Sequence, residues 1–224
     1  MSYPIRALAP TLCALVALSA LSGVATAAPQ GVEGTNYRTL DPPQPTESPG
    51  KIEVIEFFSY ACPHCNDFYP LVSSWAAQLP KDVVFKRVPV GFDRLPWINL
   101  QRAYYALEAS GDLMKLDGKL FHAIHVEQLP LFDEPHLAEW VGQNGGSAEK
   151  FASAYTSFSV NNKTVQADEL AEHYQVTGIP TMAVGGKYIA LGDSHSAILA
   201  NTDQLIARVR SEGPVAKSGG KPAQ

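Results

Sequence analysis

The sequence predicts an α/β fold in which a run of helices is inserted between the two halves of a single sheet. Three observations predict it. Two β-rich apolar runs, at 51–58 and 83–90, bracket a stretch with helical spacing; residues 97–158 carry only a 3.6-residue period; and the chain then returns through a further helix to two short β-runs and a last helix. Of 224 residues the first 27 read as a removable leader, and the 197 that remain suit one domain with room for a small helical subdomain.

The leader begins with one positive charge, Arg6, continues through the apolar run LCALVALSAL, and closes on the small residues Ala25, Thr26 and Ala27. That is the pattern of an export signal cleaved after Ala27 or one residue later. A retained membrane anchor is the alternative, because residues 7–27 carry no charge; Pro10, the alanine content and the small-residue exit favour the signal. Cys13 lies in mid-segment rather than at a lipid-attachment position. An exported chain is expected to work in an oxidising compartment outside the cytoplasm.

Residues 28–50, rich in Pro, Gly, Thr and Gln, read as an extended arm ending in the loop PPQPTESPG. KIEVIEFF at 51–58 suits a strand buried on both faces. Residues 66–78 then place Phe68, Leu71, Val72, Trp75 and Leu79 at helical spacing, with a kink expected at Pro70. VVFKRVPV at 83–90 is the second strand, so the turn holding Cys62 and Cys65 sits at the C-terminal end of the first, where open sheets place their chemistry.

Apolar stripes built on Trp97, Leu100, Tyr104 and Leu107, on Leu116, Leu120 and Phe121, on Leu137 and Trp140, and on Phe151, Tyr155 and Phe158 define the helical insert. Tyr104, Trp140, Phe151 and Phe158 are expected in its core. Asp133, with Pro135 in the first turn, and Ser147 are expected N-caps. A helix near 165–174 leads back to strands at 181–184 and 187–191 around a Gly185-Gly186 turn, and residues 202–210 form the last helix. The division expected is therefore a leader (1–27), an arm (28–50), a sheet domain in two pieces (51–96 and 165–212), a helical insert (97–164) and a disordered tail (213–224).

Composition narrows the chemistry. Lys plus Arg is 17 against 22 for Asp plus Glu, a net charge of -5 that becomes -6 once Arg6 leaves, and no basic footprint for nucleic acid is present. Outside the leader only Cys62 and Cys65 remain, which excludes a disulfide-stapled mini-protein and a four-cysteine zinc or iron-sulfur site. The chain has no glycine-rich phosphate loop, no nicotinamide or flavin fingerprint and no serine-hydrolase elbow.

Cys62 and Cys65, three apart on a helical first turn, lie within reach of a mutual disulfide. Half of a metal site and an inert structural bridge are the other readings of such a pair; the first needs distant ligands, and a loop this short gains little chain entropy. Position favours redox work. At a helix N-terminus the unpaired N–H groups and the dipole stabilise a Cys62 thiolate, and His64 adds charge and a donor. Stabilising the thiolate stabilises the dithiol, which makes the disulfide more oxidising. Pro63 restricts the turn. Glu56 and Lys86 interrupt apolar strands; if both strands are central, the two are buried together near Cys65, where a carboxylate held by Lys86 can relay the Cys65 proton. A pair facing a wet cavity with no kinetic role is the alternative. His122 and His125 lack neighbouring ligands and read as surface or packing histidines, and no metal is expected.

Three motifs then carry a family resemblance: EFFSYACPHC at 56–65, the lysine of VFKRVPV at 86, and the TGIPT loop at 177–181. From about Tyr37 to Val209 the chain resembles the thioredoxin fold, and within it the disulfide-forming periplasmic oxidases of the DsbA type, which carry a helical domain at that insertion. The resemblance implies a cysteine pair enclosing Pro63 and His64, an acid and a lysine at positions 56 and 86, and a cis peptide between Ile179 and Pro180. From the residues alone, a trans proline opening a strand is the ordinary reading. In the cis arrangement the Ile179 backbone is offered to a substrate strand. The function implied is donation of the Cys62–Cys65 disulfide to reduced exported polypeptides by a monomer that needs no cofactor, with reoxidation by a quinone-linked membrane thiol oxidase. The alternatives are an exported reductase or isomerase of the same fold, since Ile-Pro-Thr is also thioredoxin-like, and a redox-inactive peptide-binding or folding-helper module.

Overall fold

The computed structural model describes residues 31–213, together with Met1; the leader, and the tail beyond Gly213, lie outside the described residues. The chain order is β1 (Tyr37–Thr39), β2 (Ile52–Phe58), α1 (Pro63–Ala76), β3 (Val83–Pro89), α2 (Leu95–Ser110), α3 (Leu113–His125), α4 (Glu134–Gln143), α5 (Ala148–Tyr155), α6 (Phe158–His173), β4 (Thr181–Val184), β5 (Tyr188–Ala190) and α7 (His195–Glu212). The sheet runs β1-β5-β4-β2-β3, with β2 and β3 parallel and every other neighbouring pair antiparallel.

Every residue of β2 is buried, as its uninterrupted apolar run requires, because helices cover both faces of the sheet. On one face Ile52 and Val54 pack with Phe68 and Val72 of α1 and with Leu205, Ile206 and Val209 of α7. On the other, Ile55 and Phe57 meet Ala167 and Ala171 of α6. A third cluster fills the helical insert and reaches back to Phe58, Tyr60, Cys62 and Cys65. The two sulfurs therefore sit at the seam between sheet and insert.

Local signals placed most termini. Asp133 and Ser147 accept hydrogen bonds from the His136 and Lys150 backbone N–H groups as N-caps. Gly185 and Gly186 take φ of +61° and +68°, the left-handed pair that a two-residue hairpin turn demands.

The structure differs from the sequence reading in four places. The arm is part of the sheet: β1 pairs with β5, and Tyr37 and Leu40 are buried beneath it. A three-residue edge strand is too short to show a period. The expected boundary at 164/165 falls inside α6, which starts at the Ser157 cap and buries Val160, Thr164, Ala167 and Ala171 on one stripe. Phe158, expected in the core, is 85 % exposed because it occupies the first position of that helix, off the stripe. α7 begins at His195 behind the Ser194 cap, two turns ahead of 202. Helix α1 is continuous through Pro70, where the sequence predicts a kink and not a break, and the proline lies on its exposed side.

The arm is held at one close approach. Gln44 N–H donates to the Gly186 carbonyl at 2.7 Å, and a Cβ on Gly186 would lie 2.0 Å from the Gln44 carbonyl oxygen at a φ already unsuited to other residues. Gly186→Ala is expected to cost about 2 kcal/mol or more in denaturant unfolding while leaving the cysteine chemistry intact.

Candidate functional site

Cys62 is the N-cap of α1, with extended backbone at φ -91° and ψ 118° and Pro63 in the first turn. Its N–H closes a turn on the Ser59 carbonyl at 3.1 Å, and its own carbonyl accepts from Asn66 N–H at 3.1 Å. Cys65 follows on the buried side of the first turn. Both cysteines are free thiols here. Cys62 is 5 % exposed and Cys65 0 %, while Pro63 and His64 between them are exposed.

The two sulfurs differ sharply in acidity. The Cys62 thiol is pulled down to about 6, first by a hydrogen bond from the Cys65 thiol and then, against a burial penalty, by the backbone N–H groups of Cys65 and His64 and the attraction of His64. The helix end acts as its position predicts, whereas the His64 charge is the smallest of these causes. Burial pushes the Cys65 thiol far up, reinforced by its hydrogen bond to Cys62, by the Cys62 charge and by Glu56. One sulfur is thus set to ionise and the other to hold its proton.

The Ile179–Pro180 bond is cis. The Ile179 carbonyl lies 3.8 Å from Cys62 Sγ, and the Ile179 N–H has no backbone partner among the described residues. The loop is braced by Thr181 Oγ1 donating to the Gly178 carbonyl at 2.7 Å.

Glu56 lies 0 % exposed on the sheet face beneath Cys65, but its partner is Arg87, not Lys86. In the parallel register Glu56 stands opposite Arg87, and Ile55 opposite Lys86. Adjacent residues of a strand point to opposite faces, so Lys86 turns to the α6 side and pairs with Glu53 and Glu47 at 2.6 and 2.9 Å. Arg87 Nε donates to Glu56 Oε2 at 2.6 Å and its terminal nitrogen to Asp117 Oδ2, also at 2.6 Å. The guanidinium lies 3.9 Å over the Phe58 ring. Tyr60 Oη donates to the second Asp117 oxygen at 2.5 Å. Burial raises the Glu56 carboxyl above its ordinary range, with Arg87 pulling it back. One Glu56 oxygen and one Arg87 nitrogen have no partner in this buried network.

Sequence reasoning thus placed Cys62, Pro63, His64, Cys65, Glu56, Ile179 and Pro180 at one end of the sheet and put Lys86 wrongly among them. It missed Arg87, Asp117 and Tyr60. Arg87 is the next residue in the motif, and only the β2–β3 register tells which of two adjacent cations faces the sulfurs. A groove of about 870 Å³ opens along β3 between α2 and α6. Neither cysteine lines it.

Comparison with known proteins gives one consistent answer. Residues 53–202 match the family model of the DSBA-like thioredoxin domain. The thiol:disulfide interchange protein DsbA of Bordetella parapertussis is 40 % identical over 206 residues, spanning 89 % of this chain and 98 % of the relative. The Pseudomonas aeruginosa DsbA is 37 % identical over 203 residues, spanning 89 % and 96 %. A crystal structure of Pseudomonas aeruginosa DsbA aligns with a TM-score of 0.77 at 37 % identity, over 80 % of this chain and 94 % of that one. The oxidoreductase DsbA from Xylella fastidiosa aligns with a TM-score of 0.77 at 31 % identity, over 81 % and 99 %.

Two outcomes are expected from the site. Alkylation of the reduced protein at mildly acidic pH labels Cys62 first, and peptide mapping that finds Cys65 labelled first overturns the assignment. Glu56→Gln keeps size and hydrogen bonding but removes an ionisable site near Cys65. Stopped-flow oxidation of a dithiol peptide between pH 5 and 8 should then slow by about tenfold to a hundredfold, with little movement of the Cys62 titration. An unchanged profile removes Glu56 from the mechanism.

Proposed function

This chain belongs to the DsbA family of thiol:disulfide interchange proteins, a thioredoxin-type core with an inserted helical domain and a C-x-x-C redox pair, and on that premise we propose that it oxidises exported polypeptides by giving up its Cys62–Cys65 disulfide. A substrate thiolate attacks Cys62 Sγ, the Cys62–Cys65 bond breaks, and Cys65 leaves as a thiolate that takes up a proton, with Glu56 nearby to relay it. A second substrate thiolate then attacks the substrate sulfur of the mixed disulfide and releases Cys62 as a thiolate. The substrate has lost two electrons and the protein has gained them.

The observation that carries the direction of transfer is the raised acidity of Cys62, whose thiol is pulled down to about 6. A thiolate that is stabilised leaves readily and makes the reduced state the comfortable one. The buried Cys65, held protonated, does not compete for the substrate sulfur. Pro63 and His64 form the exposed rim of the reactive sulfur, and the cis Ile179–Pro180 loop offers a backbone edge beside it for an extended, unfolded client.

The remaining features of the proposal rest on the family and on the leader. The protein works as a monomer in the periplasm, its clients are reduced polypeptides newly exported there, and a membrane thiol oxidase linked to quinone restores its disulfide. No cofactor takes part, because the electrons reside on the two sulfurs. Neither nucleic acid nor a metal enters the reaction.

Equilibration of the Cys62–Cys65 couple with glutathione tests the direction, and a strongly reducing couple identifies a reductase instead. Stability supplies a second test through its pH dependence. An ordinary thiol titrates near 9.0, and the folded value near 6 is lower. The Cys62 contribution is therefore fully present above the unfolded value and is lost as pH falls through the folded one, and the disulfide form has no such contribution. Reduced protein should be the more stable form at neutral pH, by a margin that grows toward pH 9 and closes below about pH 6. Denaturant curves in which the oxidised form is clearly more stable at pH 7 contradict a strongly oxidising couple.

A further inference from the structure

We propose that one stripe of α3, made of Asp117, Phe121 and His125, is a splint that sets the orientation of the redox turn through Tyr60, with His125 as its positioning residue. The inference rests on the redox reading of Cys62 and Cys65 and adds to it a function for the helical insert.

The three residues are four apart, so they share one face of the helix along about 12 Å. All three engage Tyr60. Asp117 accepts from its phenol at 2.5 Å, the Phe121 ring lies edge-on at 4.8 Å between centroids, and His125 Nε2 meets its backbone carbonyl at 2.7 Å. A carbonyl only accepts, so Nε2 carries the hydrogen and donates. The His125 ring is itself stacked against Phe121, with 6.3 Å between centroids and 26° between planes. A residue two positions before the reactive cysteine is therefore held at its side-chain tip, its ring and its main chain by a single helix.

The main-chain contact matters most. Cys62 N–H bonds to the Ser59 carbonyl, so residues 59–62 form a β-turn in which Tyr60 and Ala61 are the central pair. The Tyr60–Ala61 peptide is the plane whose rotation converts one turn type into another. His125 holds the oxygen of that peptide. Releasing it frees the turn to rotate and moves Cys62 Sγ relative to the N–H groups of His64 and Cys65 that stabilise its charge. The second turn-internal bond, Ala61 N–H to Ser59 Oγ at 3.3 Å, is too long to fix the plane by itself. His125 thus acts on the sulfur through the backbone and touches no reacting atom.

The test uses the full mature protein and two substitutions. His125→Phe keeps an aromatic ring against Phe121 without the donor, and His125→Gln restores an N–H donor. Oxidation of a dithiol peptide by His125→Phe should slow about fivefold, the equivalent of one hydrogen bond of about 1 kcal/mol, and the Cys62 thiolate titration should shift upward. His125→Gln should return both toward wild type. If His125→Phe lowers the melting temperature while rate and titration stay at wild-type values, the histidine only packs the insert and the proposal is overturned. Should His125→Phe not fold, His125→Leu removes the same donor with a smaller apolar side chain, and an unchanged rate and titration in it overturn the proposal equally. A wild-type protein that does not oxidise the peptide refutes the oxidase reading itself, which is a different result.

Discussion

The site depends on one buried cation. Arg87 is only 10 % exposed and binds two carboxylates at once, Glu56 from the interior strand β2 and Asp117 from the helical insert. Removing three charges from water is costly, and their mutual attraction offsets this only while the geometry stays close. The network therefore penalises any separation of insert from sheet, since a displaced Asp117 would leave Arg87 Nη1 and the Tyr60 phenol short of a partner inside the protein. Phe58, Tyr69 and Phe121 surround the guanidinium, and their faces add attraction without adding acceptors. Two halves of a split fold are joined by a contact that tolerates little sliding, directly beneath the cysteines.

That constraint explains how two thiols three residues apart acquire opposite character. Both are buried, and burial alone disfavours each thiolate. Cys62 escapes because it caps a helix and receives donors from the turn that follows it. Cys65, one turn inside, keeps its proton first through burial and then through its hydrogen bond to Cys62 and the Cys62 charge, which outweigh a backbone hydrogen bond from Ser59. The asymmetry comes from helix geometry and from the deeper burial of Cys65, and little of it from His64 or Glu56, each the last of the causes acting on its sulfur. The insert supplies Asp117, which engages the Arg87 that holds Glu56, and it grips Tyr60 at the head of the turn. It is a structural partner of the sulfurs as well as a cover over them.

Much of this was legible along the chain. Periodicity separates the helical insert from the sheet halves, the caps at Asp133 and Ser147 mark helix starts by local hydrogen bonding, and the paired glycines mark a hairpin because few residues accept that backbone. The cysteine pair, its place at a helix N-terminus and the proline beyond Ile179 are local patterns as well, and each maps to one end of the sheet. Phe158 shows the limit of pattern. It fits an apolar stripe by spacing, yet a cap at Ser157 restarts the helix and turns the ring to solvent.

What the sequence determined by itself is what depends on neighbours within a turn or two: element type, helix caps, the thiol pair and the charge that interrupts β2. What only the tertiary structure decided is which groups meet across elements. Lys86 and Arg87 are consecutive and equally charged, and the choice between them is made by the register of β3 against β2, because a shift of one residue exchanges the two faces of a strand. Asp117 and His125 are two surface-like residues of a predicted helix until α3 is laid along Tyr60, more than fifty residues earlier in the chain. No local pattern encodes that meeting. It follows from the packing of Phe58, Tyr60 and Phe121 in the cluster between sheet and insert, where apolar burial sets the position and the polar partners then fall within reach.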